Sequence, residues 1–125
     1  MSLIITSLQM VKKYWLIVMG SILISITVLS LWPLATLPSV PGTDKTHHLI
    51  GYAALMFPVA LRQPRQWGWI GFALLAYSGG IELVQPYVNR YGEWLDLAAN
   101  AGGLLCGWLL AVALNFCLSA QDRQR

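Results

Sequence analysis

Charge is scarce in this 125-residue chain: Asp, Glu, Lys and Arg together make up 10% of it, whereas 57% of the residues are hydrophobic. A soluble domain this small buries only about 60% of the surface that its unfolded chain exposes, so it could not hide so much apolar surface. The composition therefore argues against a soluble domain and predicts a membrane protein. No polar or Pro/Gly-rich linker divides the chain, so we expect a single domain over residues 1–125.

Cysteine is equally rare, and several functional signatures are missing. The two cysteines, Cys106 and Cys117, share one apolar stretch and cannot form a framework of disulfides, so we expect buried thiols. No basic patch interleaved with aromatic residues is present, which argues against nucleic acid as a partner. The sequence also has no P-loop, dinucleotide fingerprint, G-x-S-x-G or H-E-x-x-H motif.

Apolar stretches of helical length are what the chain does contain. The first, residues 14–32, carries no charge and approaches the ~20 residues that cross a ~30 Å hydrocarbon core. It is also longer than the ~7–15 apolar residues of a secretory signal, so we expect it to be retained. A three-proline segment follows, Pro58 is expected to kink the second helix, and Pro86 to end the third. The other helices are predicted at about residues 44–61, 67–85 and 93–118.

The basic residues indicate an orientation for this all-α, four-helix membrane bundle. Lys and Arg accumulate in short cytoplasmic loops, and Trp and Tyr prefer the two membrane interfaces. In a four-pass arrangement only Lys45 and Arg90 fall on one side. The sequence thus predicts a multi-pass protein of the inner (plasma) membrane with both termini cytoplasmic. The basic residues on the cytoplasmic side are Lys12, Lys13, Arg62, Arg65, Arg123 and Arg125.

Polar residues gather near the opposite ends of the last three predicted helices. A rise of ~1.5 Å per residue places His48 and Asn100 about 6 Å below the outer starts of their helices, and Glu82 at a similar depth. Ionisable groups persist in a membrane mostly where they are paired or hydrated. We therefore expect one shared cavity or network, lined by Asp44, Lys45, His48, Glu82, Gln85, Arg90, Asp96 and Asn100.

Specific contacts follow from helical spacing. Glu82 is expected to pair with His48 or Lys45, and Asp96 with Arg90. Asn100 is expected either to orient Glu82 or to join the third and fourth helices. His48 is preferred to the adjacent histidine because it shares a face with Asp44 and Tyr52.

Small residues on the fourth predicted helix indicate where another helix packs. Gly103 and Gly107 form a GxxxG segment, which lets helices approach closely in a membrane.

Three motifs occur in a fixed order: D-K-T-H-H-L-I-G-Y from Asp44, E-L-V-Q from Glu82, and D-L-A-A-N-A-G-G-L-L-C-G from Asp96, with Arg90 before the last. This set resembles the VanZ-like family of small membrane proteins, over residues 44–118. The family takes its name from a protein associated with resistance to teicoplanin, a lipoglycopeptide that acts at the outer membrane face. The resemblance implies a role in the cell envelope without implying a reaction.

Three functions are compatible with these residues. One is binding or shielding of a lipid, a lipid-linked precursor or a lipoglycopeptide, with membrane lipids as neighbours. Another is a membrane-embedded hydrolase or transferase in which Glu82, His48 and Asp96 are catalytic. The third is a structural or assembly subunit. The ligand-binding candidates are Asp44, Lys45, Gln85, Arg90 and Asn100.

Divalent metal binding by the carboxylates and the imidazole is a further alternative. We assign no metal ligand and no cofactor from the sequence.

Overall fold

The computed structural model describes residues 2–32, 44–88 and 93–124. Over these residues the protein is all-helical, with five α-helices and one 3₁₀ helix. The elements are α1 (Ser2–Lys13), α2 (Trp15–Leu31), α3 (Asp44–Arg62), α4 (Trp67–Val84), the 3₁₀ helix (Gln85–Val88) and α5 (Trp94–Gln124).

The N-terminal part differs from the expectation. The helix predicted over residues 14–32 is present as α2, but the residues before it form a separate helix, α1, bent by 80° against α2. Leu8 and Val11 of α1 pack against the core, although no residue of α1 is buried. The sequence analysis missed α1 because its apolar residues are interrupted by Thr, Ser and Gln and are followed by two lysines.

The prolines and the polar turn shape the middle of the chain. Pro58 lies inside α3, and Pro86 lies inside the 3₁₀ helix that continues from α4. After α3 the backbone of Gln63 enters the left-handed region, with a φ of 53°, and its N–H donates to the Val59 carbonyl at 2.9 Å. This bond closes the C-terminus of α3, a common way to end a helix.

Helix α3 lies at the centre of the molecule. It contacts α1, α2 and α4 and makes its most extensive contact with α5. Its side chains Leu55, Val59, Ala60 and Leu61 are almost completely buried. Among the described helices α3 has the most ionisable residues. Its neighbours cover it, so α3 needs less apolar surface facing outward than they do, and a central position suits it.

Gly103 and Gly107 provide the close approach that the GxxxG segment predicts. A Cβ atom at Gly103 would overlap the Leu49 carbonyl oxygen, and one at Gly107 would overlap the Ala53 carbonyl oxygen. The two glycines therefore let the backbones of α3 and α5 touch.

The outer surface of the molecule is apolar. Exposed side chains include Ile17, Phe72, Leu105 and Phe116. By length and composition, α4 with the 3₁₀ helix and α5 can each cross a membrane, and the bent pair α1 and α2 qualifies as a third span if it is counted as one. An apolar exterior and apolar helices of this length are consistent with a membrane protein.

The expectation of buried thiols was wrong: both cysteines are exposed on α5. Helix α5 is apolar on nearly all sides, so its sequence does not distinguish a residue facing another helix from one facing outward.

Candidate functional site

Three helix ends form one polar cluster. The start of α3 contributes Lys45 and His48, the end of α4 contributes Glu82, and the start of α5 contributes Asp96 and Asn100. Helices α3 and α5 run in the same direction, since His48 contacts Asn100 near their starts and Asn115 donates to the Leu61 carbonyl further along both helices. Helix α4 runs back between them in the chain, which brings its C-terminal end to their N-terminal ends.

His48 is held between two residues of α5. Its Nδ1 lies 2.9 Å from the Asn100 Oδ1, and its Nε2 lies 3.7 Å from the Asp96 Oδ2. An amide oxygen only accepts hydrogen bonds, so Nδ1 carries the proton and donates it to Asn100. In the neutral imidazole Nε2 is then unprotonated, and its lone pair faces a carboxylate oxygen.

Glu82 links the end of α4 to the start of α5. Its Oε2 accepts a hydrogen bond of 3.0 Å from the backbone N–H of Glu93, the residue before α5. The glutamate is only 5% exposed, and its Oε1 has no hydrogen-bond partner among the described residues. A buried carboxylate oxygen without a donor is costly, so Oε1 is available to a proton, a cation or a ligand donor.

Asp96 is the other deeply buried carboxylate, at 5% exposure. It lies in the first turn of α5, where the helix dipole favours negative charge. Its Oδ1 lies 3.7 Å from the Lys45 Nζ but accepts no hydrogen bond within the described part of the chain. The closest ion pair of Lys45 is with Glu93 instead, at 2.9 Å, and both of these side chains are about half exposed.

One side of the cluster is therefore buried, and the other side, here called its mouth, is exposed. His48, Glu82 and Asp96 each offer one ligand atom, and these atoms lie within 4.8 Å of one another. Asn100, 1% exposed, lies beneath them, whereas Lys45 and Glu93 flank the exposed side. Such a site can bind a cation, move a proton, or hold a ligand that donates hydrogen bonds to the carboxylates.

The observed pairings depart from the expected ones. Lys45 pairs with Glu93 and Asp96, and His48 with Asp96 and Asn100. The expectation that Asn100 orients Glu82 or joins the third and fourth helices was wrong, since it joins α3 and α5. His48 and Asn100 face each other between the parallel helices α3 and α5, within the first two turns of each helix.

Gln85, another predicted ligand-binding residue, has a structural contact. Its Nε2 donates to the Ser30 carbonyl at 3.1 Å, which ties the 3₁₀ helix to the end of α2. Its Oε1 is buried and accepts no bond from any residue that the structure describes.

Two predicted site residues cannot be placed. Asp44 begins α3, but its side chain lies outside the described residues, as does the whole of Arg90 with its expected pairing to Asp96. Glu93 was not predicted as a site residue. Its acidic side chain directly before α5 was the available signal, because the helix dipole favours a carboxylate at the start of a helix.

In comparisons with known proteins, no family model, no curated protein and no solved structure matches the chain. The VanZ-like resemblance stays a prediction from the ordered motifs.

Proposed function

We propose that this chain is a VanZ-like, four-span protein of the inner (plasma) membrane that binds or shields an amphiphilic envelope ligand at its outer face. The ligand class is a lipid, a lipid-linked wall precursor or a lipoglycopeptide antibiotic. The observation that supports this is the polar cluster of His48, Glu82, Asp96 and Asn100, which α3, α4 and α5 assemble at one end of the molecule.

The four spans are α2, α3, α4 and α5. Helix α3 has 19 residues, about 28 Å at 1.5 Å per residue, and its neighbours cover its polar side chains. Helix α1, bent by 80° from α2, then runs along the inner membrane surface. The basic residues Lys12, Lys13 and Arg65 lie at that end, which makes both termini cytoplasmic.

The ligand class follows from three features of the site and its surroundings. Buried carboxylate oxygens on Glu82 and Asp96 lack hydrogen-bond partners among the described residues and accept hydroxyl or amide donors. The exposed Lys45 at the mouth attracts phosphate or carboxylate groups. The apolar helices around the site accommodate acyl chains. Lipid-linked precursors and lipoglycopeptides combine all three features.

Teicoplanin tolerance tests this proposal. We expect expression of the wild-type chain in a susceptible Gram-positive host to raise the inhibitory concentration, and Glu82→Gln and His48→Ala to abolish the increase. His47→Ala and Asp122→Asn are matched controls, because both residues are exposed and outside the cluster. All variants are first checked for wild-type abundance in the membrane.

Native mass spectrometry of the protein extracted from its membrane tests whether it binds a lipid. We expect a lipid to co-purify with the wild-type protein and to be absent from Glu82→Gln. The binding proposal is wrong if the cluster variants fold normally and keep both tolerance and lipid. In that case the structural-subunit hypothesis is favoured.

A membrane-embedded hydrolase or transferase is the second candidate, and the contacts of His48 favour it. Asn100 orients the imidazole, Asp96 faces its other nitrogen, and Glu82 presents a free oxygen, which is an arrangement suited to general acid–base chemistry. The enzyme candidate is preferred if His48→Ala still binds lipid-linked substrate but no longer converts it.

A further inference from the structure

We infer that His48, Glu82 and Asp96 form a binding site for a divalent transition-metal ion, best fitted by Zn²⁺. The inference goes beyond the proposed function, because it assigns an ion to the site before any envelope ligand is bound. From the sequence, metal binding by these residue types was an open alternative with no ligand assigned.

The spacing of the ligand atoms matches a small metal ion. The His48 Nε2 and the Asp96 Oδ2 lie 3.7 Å apart. That is too long for a hydrogen bond, but two ligands bound tetrahedrally to zinc at about 2.0–2.2 Å lie about 3.4 Å from each other. With the Glu82 oxygen included, all three atoms lie within 4.8 Å, so small side-chain movements bring them to bonding distance.

Asn100 prepares His48 to act as a ligand. The hydrogen bond from Nδ1 to the Asn100 Oδ1 places the ring proton on the far nitrogen and turns the Nε2 lone pair toward the carboxylates. Metal-binding histidines usually donate their other N–H to an oxygen in this way. Asn100 is itself buried, so the imidazole has little freedom to turn away.

The net negative charge of the described site residues also favours a bound cation. Glu82, Asp96 and Glu93 contribute three carboxylates, and Lys45 is the one ammonium among the described groups that contacts them. When these three carboxylates are ionised and His48 is neutral, the described groups of the site carry a net charge of two negative charges, which one divalent ion neutralises. Lys45 is exposed and held by Glu93 at 2.9 Å, so it does not fill the buried centre.

Two carboxylate oxygens without a hydrogen-bond partner in the described structure independently indicate a bound ligand. Glu82 Oε1 and Asp96 Oδ1 are both buried and accept no hydrogen bond in the described ranges. Each carboxylate is more than nine-tenths buried and belongs to the group whose ligand atoms converge. A metal ion bound by the two carboxylates would compensate their charge, whichever oxygen of each is the ligand.

The donor set selects the class of metal. One imidazole and two carboxylates suit Zn²⁺ and its first-row neighbours, whereas Mg²⁺ and Ca²⁺ prefer sites made of oxygen alone. Three protein ligands leave a fourth position open, as in sites where zinc holds a water molecule or a substrate group.

Zinc titration of the full chain in nanodiscs tests the inference. After treatment with a chelator, we expect the wild-type protein to bind one Zn²⁺ per chain in competition with a metal-sensitive dye. Asn100→Ala is expected to weaken binding about 10–100-fold, the usual loss when the partner of a metal ligand is removed. Glu82→Gln and Asp96→Asn, which remove ligands at nearly constant shape, are expected to weaken it further.

His47→Ala and Asp122→Asn are the matched controls, since they remove one imidazole and one carboxylate outside the site; both are expected to leave the affinity unchanged. Co²⁺ provides a readout that needs no variant. Intense visible absorption bands of a four-coordinate ion, displaced by one equivalent of Zn²⁺, support the site.

The inference is overturned if wild-type protein shows only the weak spectrum of hydrated Co²⁺. It is also overturned if Glu82→Gln, folded as judged by its circular dichroism and gel filtration, binds Zn²⁺ as tightly as wild type. Loss of teicoplanin tolerance plays no part in either result, so failure of the metal site and failure of the proposed function are distinguishable.

Discussion

At the scale of single residues, the polar side chains inside this apolar bundle are only partly satisfied by hydrogen bonds. Asn100 and His48 satisfy each other, and Glu82 is half satisfied by the backbone of Glu93. Two buried carboxylate oxygens, Glu82 Oε1 and Asp96 Oδ1, have no hydrogen-bond partner in the described structure. Partly satisfied buried polar groups are more costly than apolar packing, so their concentration at one place is the signature of a site.

A double-mutant cycle measures the His48–Asn100 contact. From His48→Ala, Asn100→Ala and the double variant, we expect a coupling energy of about 0.6 kcal/mol, and no more than ~1.7, as found for hydrogen bonds between membrane helices. Thermal unfolding in a single detergent, without added metal, supplies the three stability changes. Strict additivity of the single variants would show that the two side chains do not interact.

At the scale of helices, the pairing of α3 with α5 positions the cluster. Gly103 and Gly107 bring the two backbones together, and the parallel direction of the helices places both N-terminal ends at the same level. The GxxxG segment made this close contact predictable. Its partner helix was not predictable, because any neighbouring helix can pack against a small-residue face.

Adding one methyl group to this interface is expected to be costly. In Gly107→Ala the new Cβ overlaps the Ala53 backbone, and the required shift costs about 1–3 kcal/mol, more than the gain of up to ~1 kcal/mol in helix propensity. We expect a lower midpoint of thermal unfolding in detergent.

Gly102→Ala is the control for this change, because its Cβ would lie 3.4 Å from the flexible Leu49 Cδ1 and meet no backbone. Equal stability of the two alanine variants would argue against the tight α3–α5 contact.

The turn after α3 offers a change in the opposite direction. Gln63 has a φ of 53°, a conformation that costs a residue with a side chain about 1–2 kcal/mol. Gln63→Gly relieves this cost but adds roughly 0.5–1 kcal/mol of unfolded-state entropy, so we expect a small net stabilisation.

Differential scanning fluorimetry of the purified protein checks this expectation. Gln66→Gly serves as the comparison, since Gln66 has a φ of −103° and gains no relief from glycine. A larger stabilisation by Gln66→Gly than by Gln63→Gly would contradict the proposed strain.

At the scale of the whole molecule, the proposed topology places the polar cluster at the outer face. The short turn between α3 and α4 and the C-terminal part of α5 lie at the opposite end of the bundle. Basic residues in that turn and in α1 favour the cytoplasmic side for it. The same orientation gives an envelope ligand direct access to Lys45 and Glu93.

Cysteine labelling of intact cells checks this orientation. In a background with Cys106 and Cys117 replaced by alanine, we expect Tyr87→Cys to react with an impermeant maleimide and Arg65→Cys to react only after permeabilisation. Tyr87 is 88% exposed and Arg65 is also exposed, so access through the protein is not limiting. The reversed pattern would place the cluster in the cytoplasm and remove the proposed ligand class.

The sequence alone determined the helical class, the positions of α3, α4 and α5 to within a few residues at most ends, and part of the cluster: it predicted Lys45, His48, Glu82, Asp96 and Asn100 but not Glu93. These follow from hydrophobic run length, proline positions and helical periodicity, which are local properties of the chain. It did not reveal α1, whose apolar pattern is short and interrupted.

Only the tertiary structure decided which polar side chains bond to which. The contacts of His48 with Asn100 and Asp96, and of Lys45 with Glu93, depend on the rotation and relative height of α3 and α5. Those are set by packing around Gly103 and Gly107, and packing joins residues about fifty positions apart. Local periodicity carries no information over that distance, so the sequence predicted most members of the site, whereas the packing of the helices decided which of them bond to one another.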